Sequence, residues 1–263
     1  EGGFDYGGAL AIQSDGKILV GGTSMHGGMF VFSLVRLTTE GTLDAGFGNN
    51  GVAVLSGLGG EDFGESLVVL PDGRILLGGT GYHMGQYTFS VVRLNADGQL
   101  DTSFGVDGRA SVGFGGSVFG ESIALQKDGK LVIAGTVESE FFVARLDDNG
   151  VLDPSFGQGG TTYIDLGEID VGRSVAIQAD GKIVIAGSAT VASANHFGVV
   201  RLNSDGTLDT SLGEISSVSS EFCFYAENGA PVALDAAVTI FDEELSALDA
   251  GAGNFEGASV TLS

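Results

Sequence analysis

DGRILLGG, residues Asp72–Gly79, is the stretch that decides the fold. An Asp-Gly pair supplies a tight hairpin turn, and the apolar run after it reads as a strand buried on both faces. Its closing small residues leave room for close approach of a neighbouring sheet. The pattern returns as DGKILVGG at Asp15–Gly22, DGKLVIAG at Asp128–Gly135 and DGKIVIAG at Asp180–Gly187. The Asp-Gly anchors lie 57, 56 and 52 residues apart. A period of that length belongs to stacked or radially arranged supersecondary units.

Each anchor is preceded by a short apolar strand: Ala9–Gln13, Leu67–Leu70, Ile123–Gln126 and Val175–Gln178. A variable loop follows the anchor, and then a third strand: Phe32–Leu37, Phe89–Leu94, Phe141–Leu146 or Phe197–Leu202. That strand opens a second repeated segment, RLTTEGTLD at Arg36–Asp44, with copies at Arg93–Asp101, Arg145–Asp153 and Arg201–Asp209. Phe47-Gly48, Phe104-Gly105 and Phe156-Gly157 follow, and then a fourth strand near Val52–Leu55, Arg109–Gly113 and Thr161–Leu166. The apolar spacing has period two throughout, with no helical stretch. Four short antiparallel strands per unit is the content of a propeller blade. The expected fold is all-β: a β-propeller-like array of four four-stranded antiparallel blades closing into a toroid, plus a short C-terminal β extension. The domain reading is a four-repeat propeller over residues 1–220 and an extension over 221–263.

Glycine is abundant, 46 of 263 residues, and proline nearly absent at 3, yet 43% of the chain is hydrophobic. That combination is a folded β protein rich in turns. The chain carries 34 acidic and 11 basic residues, a formal charge of −23. Eight of the basic residues sit at repeat-equivalent positions, leaving only Arg109, Lys127 and Arg173 outside the pattern. No basic patch can be assembled, which argues against a nucleic-acid or anionic-membrane partner. No apolar run approaches the length of a membrane-spanning helix. Cys223 is the only cysteine, so no intrachain disulfide forms. Glu1 opens the chain with neither an initiator Met nor a signal peptide, as expected of a processed chain or of a fragment.

The Asp-Gly-Lys-apolar-Gly, Arg-Leu, Gly-x-Leu-Asp and Ser-Phe-Gly elements resemble the delta-60 repeat, a bacterial β-propeller module, from Gly7 to about Gly213. The fourth copy departs from it, with Leu212 in place of the Phe and Ser216 in place of a Gly, so its outer strand is expected from within Glu214–Ala226. The resemblance implies a large secreted or surface protein and carries no defined activity. Asp242–Phe255, with its Asp-x-Glu-Leu-x-Ala-Leu core, resembles the start of a cadherin-like or immunoglobulin-like module of bacterial adhesins.

Candidate site residues are few. Each repeat arginine is followed eight residues later by an aspartate: Arg36 and Asp44, Arg93 and Asp101, Arg145 and Asp153, Arg201 and Asp209. Four equivalent pairs read as buried struts tying strand to turn. Met25, His26, Met29, His83, Met84 and His196 all fall in or beside the loops between second and third strands. Thioether and imidazole together suit copper, making His26, His83, Met25 and Met84 a candidate metal set. Met29, Tyr87 and His196 mark a candidate partner face on those loops. Asx-rich turns and the acidic Asp242, Glu243 and Glu244 make calcium the other candidate ion, although no turn has the full carboxylate set of an EF-hand. No Gly-x-Ser-x-Gly elbow, phosphate loop or His-Glu-x-x-His motif is present.

The expected function is therefore a non-enzymatic extracellular structural or binding module of a large bacterial surface or secreted protein, meeting a protein or glycan ligand or copies of itself. Two alternatives stand beside it: a filament subunit assembled by strand complementation, and a propeller enzyme, hydrolase or lyase, with its site at the channel mouth. An enzyme would show one repeat carrying polar residues that its siblings lack.

Overall fold

The computed structural model describes residues 4–56, 60–83, 85–113, 116, 118–191, 193–211 and 223–225. Among them every regular element is a strand. The first blade is β1 (Asp5–Ile12), β2 (Ile18–His26), β3 (Met29–Leu37) and β4 (Val52–Val54), hydrogen-bonded in that order. The second is β5 (Asp62–Val69), β6 (Ile75–His83), β7 (Gln86–Leu94) and β8 (Arg109–Val112). The third is β9 (Val118–Leu125), β10 (Leu131–Val137), β11 (Glu140–Leu146) and β12 (Thr161–Ile164). The fourth is β13 (Ile169–Ile177), β14 (Ile183–Val191), β15 (Ala194–Leu202) and β16 (Cys223–Tyr225). All pairings are antiparallel, so the chain is a β-propeller array of four four-stranded blades, as the period predicts.

The Asp-Gly turns differ in one detail from the tight hairpin that the sequence suggests. Only the glycine takes positive φ, at +82° to +90° for Gly16, Gly73, Gly129 and Gly181. Gln13 N donates to Lys17 O and Gly16 N to Gln13 O, a turn with a left-handed glycine in its bulge position. The aspartate earns its place through its side chain: Asp15 Oδ1 accepts from Lys17 N, and Asp72, Asp128 and Asp180 repeat the bond.

Apolar burial lies between blades. Phe32 and Leu34 of blade 1 pack with Ile75, Leu77 and Val92 of blade 2. Phe89 and Val91 pack with Ile123, Leu131 and Ile133 of blade 3. Phe141 and Val143 pack with Ile183, Ile185 and Val200 of blade 4. The inner strands follow one another, β1 against β5, β5 against β9, β9 against β13. Among the described residues β13 and β1 share at most marginal contact, so these two strands do not form the junction that closure into a toroid would place between them. β16 falls inside Glu214–Ala226 and completes the fourth sheet by pairing with β15. The adhesin-like stretch and the acidic run at Asp242–Glu244 lie outside the described residues.

Candidate functional site on the inner strands

Each inner strand carries a bulge at the same place, between Gly7 and Ala9, Gly64 and Ser66, Gly120 and Ser122, Gly172 and Ser174. A bulge inserts one unpaired residue and re-aims its side chain, which is why bulges collect beside functional sites. The four inserted residues are Gly8, Glu65, Glu121 and Arg173. They occupy one repeat position, filled by glycine in blade 1, glutamate in blades 2 and 3 and arginine in blade 4. Gly8 stays a glycine for lack of space, since a Cβ there would stand 2.1 Å from the Gly64 carbonyl oxygen.

The other three converge. Arg173 Nη1 donates to Glu121 Oε1 at 2.9 Å, from blade 4 to blade 3, with the arginine side chain 62% exposed and the glutamate 21%. Glu65 of blade 2 feels both. Partial burial raises its pKa above the ordinary 4.5, the Glu121 charge raises it further, and the Arg173 guanidinium works the other way. Two carboxylates in one cluster thus have opposite environments, one paired with a cation and one pushed toward its neutral form. A carboxyl raised in this way beside a cation suits general acid or base work.

The repeat Arg/Asp pairs are ion pairs in every blade. Nε to Oδ2 is 2.8 Å for Arg36–Asp44, 2.7 Å for Arg93–Asp101, 2.9 Å for Arg145–Asp153 and 2.6 Å for Arg201–Asp209. The basic residue after each Asp-Gly turn joins them. Lys17, Arg74, Lys130 and Lys182 lie 3.1, 3.5, 2.8 and 2.8 Å from the strut carboxylates. Eight of the 11 basic residues are therefore bound into the scaffold. The Lys130 ammonium and then the Ser155 hydroxyl hold Asp153 far below the usual carboxylate range, and the Lys182 ammonium first, with Ser211, does the same for Asp209.

The loop residues give less. His26 pairs with Met29 across the β2–β3 hairpin, and His83 with Gln86 across β6–β7. Met84 lies outside the described residues. Among the described residues no three His, Cys, Asp or Glu side chains are grouped to hold a metal. Met25 and Met29 are exposed, His196 pairs with Ala189, and Tyr87 packs against Tyr82 and, from blade 3, Phe119 at 5.0 and 5.8 Å between ring centroids. A groove of about 490 Å³ lies on the opposite side, lined by Asp72, Arg74, Arg93 and Gly129 between blades 2 and 3. Its charged lining includes strut and turn residues.

The inner-strand cluster escaped the sequence reading because a bulge shifts side-chain alternation by one residue, so the inserted residue shows only in the paired sheet. One signal was available: Arg173 is among the three basic residues that fall outside the pattern.

The fold and this site define a β-propeller with an asymmetric inner surface. The chain belongs to the family described as domain of unknown function (DUF5122) beta-propeller, which it matches at residues 13–47, 70–104, 126–156 and 178–212. No curated protein sequence matches it. Among solved structures it is similar to a protein assigned as a gluconolactonase, at 14% identity and a TM-score of 0.37, over 83% of this chain and 87% of that one. It is also similar to a catalytically inactive variant of virginiamycin B lyase from Staphylococcus aureus with quinupristin, at 13% identity and a TM-score of 0.26, over 79% and 83%. The sequence reading expected a non-enzymatic module, whereas both of these structures are of enzymes by description. Likeness at this level concerns the fold alone and brings no substrate to this chain.

Proposed function

We propose that the chain is a propeller hydrolase or lyase whose chemistry is general acid–base catalysis on the inner-strand surface. The observation that carries this reading is the set Glu65, Glu121 and Arg173. At a single bulge position blades 2 and 3 each contribute a glutamate and blade 4 an arginine, while blade 1 has a glycine, an asymmetry that a scaffold has no need of. Glu65, with its raised pKa and solvent access, takes or gives the proton. Arg173 offers its free donors to a substrate carboxylate or a developing oxyanion. Glu121 holds that guanidinium in place. Export to the cell exterior and a glycan or protein-derived substrate belong to the same proposal, supported by the acidic surface and the delta-60 likeness.

The test is a substrate screen of esters, lactones and uronate-containing glycans with the intact chain, followed by variants. Glu65→Gln is expected to lower turnover about 10²–10⁴-fold, the range for a general acid or base, with an unchanged melting temperature. Arg173→Ala is expected to raise KM for anionic substrates. Turnover surviving in Glu65→Gln would overturn the assignment.

A further inference from the structure

Two residues before each inserted bulge residue lies a position that the acid–base chemistry does not use. It holds Tyr6, Phe63, Phe119 and Val171, which pair with Thr23, Thr80, Thr136 and Ser188 of the second strands. On blades 2 and 3 the ring is backed by the preceding blade. Phe30 of β3 lies 5.3 Å from Phe63 between ring centroids, and Tyr87 of β7 lies 5.8 Å from Phe119 with the two planes 29° apart. Phe30 and Tyr87 are themselves repeat-equivalent, each two residues before a buried phenylalanine, Phe32 or Phe89. Tyr82 extends the second pair, 5.0 Å from Tyr87. Blades 3 and 4 have Ser139 and Asn195 where Phe30 and Tyr87 stand. At this position the ring pairs are thus confined to the two junctions flanking blade 2.

These rings are held without being covered. Phe119 is 45% exposed and Tyr82 38%, while Phe30, Phe63 and Tyr87 are half-buried. Contact between rings fixes their orientation in advance, so a ligand need not order them. The bulge then sets a charged group beside each exposed ring. Glu65 follows Phe63 and Glu121 follows Phe119, about 6 Å further along the strand, and Arg173 of blade 4 donates to Glu121. Rings alone would suit an apolar protein partner, but the cores of such interfaces are depleted of charge. Carboxylates alone would suit a metal cation, but a guanidinium already occupies the cluster. A pyranose satisfies both halves. Its C–H face stacks on a flat ring, and the hydroxyls around its edge donate to carboxylates and accept from a guanidinium.

We infer that this surface is a sugar-binding site and that the substrate of the acid–base cluster is an oligosaccharide, an assignment that rests on the function proposed above. Phe119, backed by Tyr87 and Tyr82, takes one sugar face, and Glu121 and Arg173 take the hydroxyls of that unit. Phe63, backed by Phe30, takes a further unit beside Glu65. Rings at two successive junctions, on inner strands that touch one another, suit a chain of sugars better than a single one. A protein at −23 repels a densely charged polyanion, so a neutral or sparsely acidic chain is favoured over a polyuronate.

The experiment probes an array of β-glucan, mannan, chitin, xylan, glucuronoxylan and polygalacturonate oligosaccharides with the full 263-residue chain, followed by calorimetric titration of the tightest binder. At least one neutral or sparsely acidic oligosaccharide is expected to bind. Phe119→Leu keeps the apolar bulk and the melting temperature but loses the flat ring, and is expected to weaken binding about 3–10-fold, the scale of one ring contact. Tyr87→Ser is expected to do the same by unbacking that ring, whereas Phe119→Tyr keeps the affinity. Val106→Ser, at a residue 78% exposed between β7 and β8, is expected to change nothing. No binding by any neutral or sparsely acidic member would overturn the proposal, as would binding that Phe119→Leu and Tyr87→Ser both leave intact. Failure of the underlying function reads differently. Turnover of esters or lactones without sugar binding sinks the sugar site alone, whereas sugars that bind through Phe119 and are never turned over sink the acid–base assignment and leave the sugar site standing.

Discussion

Asp62 and Arg109 stand on the innermost and outermost strands of blade 2, and their side chains meet across the whole sheet, Arg109 Nη2 lying 2.5 Å from Asp62 Oδ1. The path is open because Gly81 on the strand between them has no side chain; a Cβ there would stand 2.2 Å from the guanidinium. Ser90 Oγ accepts a second bond from the same nitrogen at 2.8 Å. The pair is sealed, Asp62 being 1% exposed. At the same positions blade 3 has Val118, Val137, Phe142 and Thr161. One sheet position is thus solved once with charge and once with hydrocarbon.

That contrast makes a prediction. Arg109→Met leaves Asp62 buried without its cation, and is expected to cost about 3–5 kcal/mol in urea unfolding. Asp62→Val added to it removes the stranded charge, so the double variant should recover most of the loss. A double variant as unstable as the single one would show that the guanidinium's packing, rather than its charge pairing, sets the cost.

The strut carboxylates predict acid lability. The Ser103 hydroxyl and then its N–H, with Arg93, hold Asp101 down from 3.8 to about 2. A carboxyl whose folded pKa lies below its unfolded one stabilises the fold fully above the unfolded value, and that contribution is lost as pH falls through the folded one. Stability should therefore decline between about pH 4 and pH 2. Arg93→Ala should flatten this decline and lower stability at pH 7.

Asp170 predicts the opposite slope. It occupies the Asp62 position in blade 4 and is fully buried. Oδ2 accepts from Leu166 and Gly167 N–H, while among the described residues Oδ1 has no hydrogen-bond partner. Burial raises its pKa, and the Asp165 charge adds to that. A carboxyl with a raised folded pKa costs stability as pH rises through the interval above its unfolded value. Asp170→Asn keeps an acceptor and removes the charge. It is expected to gain about 1–3 kcal/mol at pH 7, the scale for relieving a buried unsatisfied group, and nothing at pH 3. Equal effects at both pH values would exclude charge as the cause.

The sequence shows the blades because each carries the same turn and strand signals at a fixed period, and local chemistry decides both. Arg/Asp spacing shows too, since eight residues bring a strand end and its following turn together in every copy. Glu65, Glu121 and Arg173 do not show, because a bulge shifts side-chain alternation by one residue and only the folded sheet reveals which residue is unpaired. The blade junctions are equally hidden: Gly41 and Gly98 read identically in sequence, and only the Phe47 ring of the neighbouring blade distinguishes them.

That distinction yields the last prediction. Gly98 and Gly41 have φ of +84° and +80°, so alanine at either pays the same left-handed backbone penalty, about 1–2 kcal/mol. At Gly98 the new methyl would also stand 2.8 Å from the Phe47 ring and 2.9 Å from Gly48 N, which themselves are fixed by the Arg36 guanidinium 4.5 Å over that ring and by the bond from Gly48 N to Asp97 O. At Gly41 it would meet nothing. Gly98→Ala is expected to cost at least about 2 kcal/mol more than Gly41→Ala, as overpacking against a fixed ring does. Equal losses would mean that the Phe-Gly hook yields to the methyl and that the blade junctions are softer than their repeated geometry implies.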